Sequence, residues 1–276
     1  MKKRRADEAL LSDLGLESIA LARALIMEGR VMAGDRKILR TSEVLKPGDV
    51  LRVRGDLDGY VSRGAHKLKK ALEAFGIDLT GAVCVDVGAS TGGFTDVMLR
   101  AGAKRVYSVD VGYNLLDYRL RSDPRVVCME RTNARFLTPE AFDPRPAFGA
   151  TDVSFISLKA VLPAALGVLA DENPGFVALV KPQFEAEKDE VGEKGVVRDR
   201  AVHEKVLRDI VGFVPSLGWA VAGLDYSPIR GPEGNIEFLL YLRKCDDSAK
   251  FFGDISIDVT INRAYDNFFK SSSEGL

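Results

Sequence analysis

The stretch D-V-G-A-S-T-G-G-F, Asp86 to Phe94, follows a short apolar run, Ala82 to Val85, and precedes an amphipathic segment, Thr95 to Ala101. Strand, glycine-rich turn and helix in that order open a nucleotide-binding α/β domain. Gly88, Gly92 and Gly93 lack a Cβ, so the backbone is expected to turn sharply there and to approach a ligand closely. The helix that follows points its unpaired N–H groups at that ligand.

The turn is not G-x-G-x-x-G, and it lacks the G-K-[ST] ending of a phosphate-binding loop. Both absences argue against NAD and ATP. The next strand, Val106 to Val109, ends in Asp110. That is roughly 20 residues past the turn, where an acidic side chain holds a ribose diol. A carboxylate can accept both hydroxyl protons. A glycine turn with an acidic second strand fits S-adenosylmethionine, which has a ribose and no phosphates.

Outward from this stretch the chain alternates. Candidate strands are Val83 to Val87, Arg105 to Val109, Val126 to Met129, Gly149 to Val153, Phe176 to Val180, Trp219 to Tyr226 and Ile236 to Leu242. Helical segments, Phe94 to Ala101, Leu115 to Arg121, Leu158 to Leu169 and His203 to Leu217, fall between most of them. Alternation of this kind predicts a parallel sheet with helices on both faces. Ser227 to Asn235 holds two Pro and two Gly and no helical pattern, so the last two strands form an antiparallel hairpin. A parallel sheet ending in such a hairpin is the pattern of S-adenosylmethionine-dependent methyltransferases.

The 276 residues allow one large or two smaller domains, and 46% hydrophobic content allows a sizeable core. Cys84, Cys128 and Cys245 are far apart and read as reduced thiols. Two histidines argue against a His-based metal cluster, and His203 is expected to be exposed near a helix start. Met1 to Arg5 is basic without a following apolar region, and no apolar run is long enough to span a bilayer. The net charge of −1 hides an asymmetry: Met1 to Lys70 carries 16 Lys+Arg against 10 Asp+Glu, and the remainder is acidic. A basic first part suits an anionic partner such as nucleic acid, or is a solvated surface.

That first part has helical spacing at Ala6, Ala9, Leu10 and Leu14, and again at Ile19, Ala22, Leu25 and Ile26. Short strands follow, punctuated by Gly34-Asp35 and Pro47-Gly48-Asp49. R-x-D-x-x-L (Arg5 to Leu10), A-L-I-x-x-G-R-V (Ala24 to Val31) and K-P-G-D (Lys46 to Asp49) resemble the S-four-type RNA-binding fold, named after a ribosomal protein. The resemblance implies that Arg4, Arg5, Arg23, Arg30, Arg36 and Lys37, joined by Arg63, meet the phosphates of structured RNA.

Lys67, Asp152, Lys181 and Glu237 all fall at strand ends or at the start of the helix that opens the second domain. Active sites of open α/β sheets lie beyond the carboxyl ends of the strands, so the four are expected to face one crevice. Such a set has a chemical reason. A ribose 2′-hydroxyl must lose its proton as it attacks a sulfonium methyl. A lysine serves as base if burial or a second cation lowers its pKa, and Lys67 beside Lys181 is expected to supply that like charge. Asp152 and Glu237 then orient the ammonium groups.

S-R-G-A-H-K-L (Ser62 to Leu68), D-V-G-A-S-T-G-G-F-T-D (Asp86 to Asp96), E-R-T-N-A-R (Glu130 to Arg135), D-V-S-F-I-S-L (Asp152 to Leu158), V-K-P-Q-F-E (Val180 to Glu185) and G-N-I-E (Gly234 to Glu237) closely resemble the TlyA, or hemolysin A, family of ribosomal RNA methyltransferases. The resemblance runs roughly from Lys2 to Arg243. It implies a catalytic tetrad Lys67, Asp152, Lys181 and Glu237, with Lys181 as base and Lys67 as modulator. It implies cofactor contacts at Gly88, Ser90, Gly93, Phe94 and Asp110, with Thr132 and Asn133 near the adenine. Asp86, Gly92 and Asp152 complete the candidate set. Ala65 stands where the family often has glycine, and the linker has Tyr60 and no tryptophan.

The expected organisation is an S-four-type α+β RNA-binding domain over residues 1–58, a linker over 59–64, an FtsJ-like methyltransferase domain of Rossmann-like α/β fold with a seven-stranded sheet over 65–245, and an extension over 246–276. The expected activity is 2′-O-ribose methylation of cytidine in ribosomal RNA. Ribosomal subunits are the partner, S-adenosylmethionine is the cofactor, the location is cytoplasmic, and neither metal nor membrane is needed. A non-catalytic RNA-binding or assembly factor, and a membrane-lytic hemolysin, are the rival readings.

Overall fold

The computed structural model describes residues 4–16, 18–54, 58–244 and 256–270. Contacts divide the chain into two compact units, 1–63 and 64–276.

In the first unit, helix α1 (Ala6–Leu14) stops at Gly15, whose φ of 61° is left-handed. Ser18 caps helix α2 (Ile19–Met27), its side chain accepting from the Leu21 N–H at 3.2 Å. Strands β1 (Val31–Ala33), β2 (Arg36–Lys37) and β3 (Leu51–Val53) form an antiparallel sheet with β1 central. Leu10, Leu25, Ile26, Val31 and Ile38 are buried between helices and sheet. Asp7 is fully buried with them, its carboxylate accepting from Arg5 at 2.9 Å and Arg23 at 3.0 Å. Burial disfavours its charge, but the two guanidinium groups more than offset that and hold its pKa below the usual range.

The second unit opens with helix α3 (Ala65–Phe75) and then alternates. Its elements are β4 (Val83–Val87), α4 (Gly93–Arg100), β5 (Arg105–Val109), α5 (Tyr118–Arg121), β6 (Val126–Met129), β7 (Phe148–Thr151), α6 (Leu158–Gly167), β8 (Gly175–Val180), α7 (Pro182–Glu185), α8 (Arg200–Phe213), β9 (Trp219–Tyr226), β10 (Phe238–Lys244) and α9 (Ile257–Tyr265). The seven strands lie in the order β6-β5-β4-β7-β8-β10-β9. The first five are parallel, and β10 runs antiparallel to both β8 and β9. This is the expected methyltransferase sheet. Strands β4 and β8 are buried at every residue, as strands covered on both faces must be. The order reverses between β4 and β7, which opens a crevice above their carboxyl ends.

Several expected boundaries move. The helix expected from Leu115 begins at Tyr118, because Asp117 caps it by accepting from the Arg119 N–H. The helix expected over His203 to Leu217 begins at Arg200 and gives way to a 3₁₀ turn at Val214, next to Pro215, which has no N–H to donate. Asp152 and Lys181 each follow the last ladder residue of their strand, and Glu237 precedes the first of its own. Helix α9 has no counterpart in the sequence reading. It packs on α8, so His203 is buried and its expected exposure is wrong. The His203 Nδ1 lies 3.0 Å from the Tyr265 hydroxyl, and burial pushes the ring's pKa down to about 4. Cys245, Asp56 and Leu57 near the end of the expected first domain, and Ser271 to Gly275 of the expected extension lie outside the described residues. Among the described residues no helix is long and apolar enough to cross a membrane.

Asp86 ties the glycine turn to the sheet. Its Oδ2 accepts from the Thr95 N–H at 2.8 Å and the Thr95 hydroxyl at 2.7 Å, joining β4 to α4. Burial pushes its carboxyl up to about 7, against the pull of those two bonds. Between the ordinary carboxyl value of about 4 and that raised value, the folded chain holds a proton that the unfolded chain has shed. Stability therefore falls as pH rises through this window. Asp86→Asn keeps an amide oxygen for Thr95 and carries no titrating proton. Its stability relative to the parent should rise with pH across the window, by about 1.4 kcal/mol per unit crossed, and urea unfolding at pH 5 and pH 8 measures this. A second expectation concerns Gly149 in β7, where an added Cβ lies 2.6 Å from the Phe176 ring. Gly149→Ala should cost roughly 1–3 kcal/mol by overpacking in the same assay.

Candidate active site

The crevice above β4 and β7 contains a cleft of about 480 Å³. Gly88, Ser90, Asp110, Thr132, Asn133 and Asp152 line it, with apolar walls from Val109, Val111, Leu115, Ile156 and Val161. Gly88 is needed for close approach: its φ is 86°, and a Cβ would come within 3.0 Å of Val153 and 3.3 Å of the Asp152 carbonyl. Ser90 also adopts a positive φ, 51°. Its N–H donates to Asp110 Oδ2 at 2.7 Å, and the Gly112 N–H donates to Asp110 Oδ1 at 2.7 Å. Two backbone donors therefore fix the Asp110 carboxylate on the cleft wall. Each of its oxygens retains a lone pair.

Four residues expected at the cofactor do not line the cleft. Asp86 is engaged with Thr95, and Gly93 and Phe94 are buried in α4. Gly92 has a φ of 97°, and a Cβ there would meet Leu120 at 2.2 Å and Leu116 at 2.7 Å. Its glycine is required by packing beneath those two leucines.

Beside the cleft stand Lys67, Asp152, Lys181 and Glu237. Lys67 lies in the first turn of α3, Lys181 caps α7, and both are buried. The Lys67 ammonium lies 2.7 Å from Glu237 Oε2 and 3.2 Å from Asp152 Oδ2. The Lys181 ammonium lies 2.5 Å from Asp152 Oδ1 and donates to the Ser154 hydroxyl at 2.8 Å. Asp152 thus stands between the two lysines, one oxygen to each.

This corrects the expected electrostatics. Burial works against the Lys67 ammonium, but Asp152 and Glu237 outweigh it and hold its pKa above lysine's ordinary value. Lys67 stays charged, and the carboxylate between the amines replaces the like-charge contact anticipated from sequence. For Asp152, burial is outweighed by Lys67 and Lys181, and its pKa is lowered. Burial raises the Glu237 carboxyl, with Lys67 pulling the other way.

Sequence reasoning missed two residues here. Ser154 binds Lys181, and Phe155 projects beside it, 90% exposed, with a φ of 63° and its ring 5.0 Å from that of Phe184. A left-handed phenylalanine leaves no mark in the sequence.

The candidate RNA contacts of the first unit are mostly ion-paired. Arg4 meets Asp13, Arg5 and Arg23 share Asp7, Arg30 lies 3.3 Å from Glu28, and Arg36 bridges Glu43 and Asp49. Arg5 and Arg23 nonetheless stay about half exposed, and Lys37 and Arg63 are exposed. Each guanidinium has five N–H donors, so an acid partner fixes it without exhausting it.

The cleft fits S-adenosylmethionine. Its volume is that of a small-ligand site, its apolar walls suit an adenine ring, and Asp110 suits a ribose diol. Asp152 faces it with negative charge, the sign that a sulfonium calls for. A family model described as FtsJ-like methyltransferase matches residues 60–244. The 16S/23S rRNA (cytidine-2'-O)-methyltransferase TlyA of Mycobacterium tuberculosis is 45% identical, over 90% of this chain and 93% of that protein. Hemolysin A of Brachyspira hyodysenteriae is 40% identical, over 86% and 98%. A solved structure of a candidate hemolysin from Streptococcus thermophilus superposes with a TM-score of 0.76 at 42% identity, covering 99% of both chains. A glycine turn, an acidic second strand and a terminal antiparallel hairpin therefore sit in a chain that belongs to the FtsJ-like methyltransferase family, among its TlyA and hemolysin A relatives.

Proposed function

We propose that this chain methylates a ribose 2′-hydroxyl of cytidine in ribosomal RNA, with S-adenosylmethionine as donor. The observation that carries the reading is the position of Asp152. It lines the cofactor cleft and also binds both lysine ammonium groups. An amine is thus held where the cleft ends, the place at which a nucleophile must lose a proton. The Mycobacterium tuberculosis relative is named for this activity.

Bound in the cleft, S-adenosylmethionine supplies a methyl group already activated by its sulfonium. Asp110 would hold its ribose, Gly88 and Ser90 would lie against it, and Thr132 and Asn133 would border its adenine. The new bond would join ribose O2′ to the methyl carbon while the donor's carbon–sulfur bond breaks and its electron pair leaves on sulfur as a neutral thioether, and the hydroxyl proton has to leave. Lys181 in its neutral form accepts that proton. Lys67 remains an ammonium under the pull of Asp152 and Glu237, and it keeps the Asp152 carboxylate from drifting toward the substrate. Phe155 offers an exposed ring for an unpaired base to stack on. Residues 1–58 form the RNA-binding domain, with Arg4, Arg5, Arg23, Arg30, Arg36 and Lys37, and Arg63 beyond it, meeting phosphates.

The test is transfer of labelled methyl from S-adenosylmethionine to unmodified ribosomal subunits, with the 2′-O-methyl groups mapped by ribose-sensitive cleavage. Lys181→Ala should lose about 10²-fold or more in kcat while still binding S-adenosylmethionine. Lys181→Arg should be as inactive, because a guanidinium cannot accept the proton; an active arginine variant would show that charge alone suffices. Removing residues 1–58 should leave S-adenosylmethionine affinity unchanged and weaken RNA binding by about tenfold or more. Equal RNA affinity in the shortened chain would refute that assignment.

A further inference from the structure

The motif V-K-P-Q-F-E holds an acid that the tetrad does not use. Glu185 ends α7, four residues after Lys181, and it does not line the cleft. Its Oε1 accepts from the backbone N–H of Leu158 at 2.7 Å, and its Oε2 accepts from the Ser157 hydroxyl at 2.6 Å. Ser157 in turn caps α6, accepting from the Lys159 N–H at 3.2 Å. A carboxylate on the first turn of a helix meets both unpaired donors and a favourable dipole.

Those contacts lie at one end of a loop whose other end is Asp152. In between, Ser154 receives the Lys181 ammonium, and Phe155 is held at a left-handed φ of 63°. A bulky residue keeps such a conformation only when its surroundings over-determine it. The loop has two anchors, Asp152 on the lysines and Ser157–Leu158 on Glu185. Lys181 and Glu185 both belong to the segment that forms α7.

We infer that Glu185 is a positioning residue for methyl transfer: it clamps the start of α6 to α7 and so holds the loop Asp152–Ser157 against Lys181. The inference rests on the activity proposed above. Glu185 touches neither cofactor nor substrate. Its effect reaches the reaction through the placement of Asp152, Ser154 and Phe155.

The test uses the full chain with Glu185→Ala and Glu185→Gln. Glutamine can accept from the Leu158 N–H through its oxygen and donate to the Ser157 hydroxyl through its nitrogen, so it preserves the clamp. Alanine removes both bonds. Glu185→Ala should lose about tenfold or more in kcat, with S-adenosylmethionine affinity within about twofold, and the Leu158 amide should exchange much faster with solvent. Glu185→Gln should recover most of the rate and the amide protection. An unchanged kcat in Glu185→Ala, or equal loss in the glutamine variant, overturns the inference. So does a parallel collapse of cofactor affinity. Should Glu185→Ala not fold, Ser157→Ala removes one arm of the clamp and must lower kcat with cofactor affinity intact. A parent enzyme that transfers no methyl to RNA refutes the proposed activity instead, and Leu158 exchange then decides the clamp alone.

Discussion

A carboxylate held between two ammonium groups organises the site. Asp152 takes Lys67 on one oxygen and Lys181 on the other, and Glu237 takes Lys67 from the far side. Two cations and two anions can share a buried space because each neutralises its neighbours. Three of the four come from separate strand ends, and the fourth comes from the first turn of α3. None of the arrangement exists until β7, β8, β10 and α3 have converged. Fold and site are therefore linked through one ion-pair network, which ties together the ends of the strands that carry it.

The same network gives the two lysines different surroundings. Lys67 faces two carboxylates and is held charged. Lys181 shares Asp152 and meets the uncharged Ser154, which precedes the exposed Phe155 in the chain. The asymmetry comes from what surrounds each amine, since the side chains are chemically identical. The roles proposed above, Lys181 as the proton acceptor and Lys67 as the group that holds the frame, start from that difference in surroundings. Around them the loop from Asp152 to Ser157 is pinned at both ends, while its middle, strained and exposed, faces outward.

Much of this was legible along the chain. The alternation of strands and helices predicted the parallel sheet, and the Pro/Gly-containing gap before Asn235 predicted the final hairpin. Asp110 was found from its distance past the glycine turn. Other features misled for local reasons. Gly92 read as a ligand-approach glycine, but its missing Cβ makes room for Leu116 and Leu120. His203 read as exposed because α9, which covers it, was not recognised; its apolar stripe of Ile261 and Ala264 is short and lies in a polar tail. Asp86 read as a cofactor residue, and its carboxyl is turned inward to Thr95.

The sequence by itself determined the periodicities, the turn residues and the family motifs, because backbone preference and apolar spacing act over a few neighbours. It could name Lys67, Asp152, Lys181 and Glu237 as residues at strand ends and at the start of α3. Only the tertiary structure decided which carboxylate touches which lysine, and with that the direction in which the Lys67 pKa moves. Those contacts span 85 residues between Lys67 and Asp152, and the energy of a charge depends on distances of a few ångströms and on burial. Neither quantity exists in an unfolded chain.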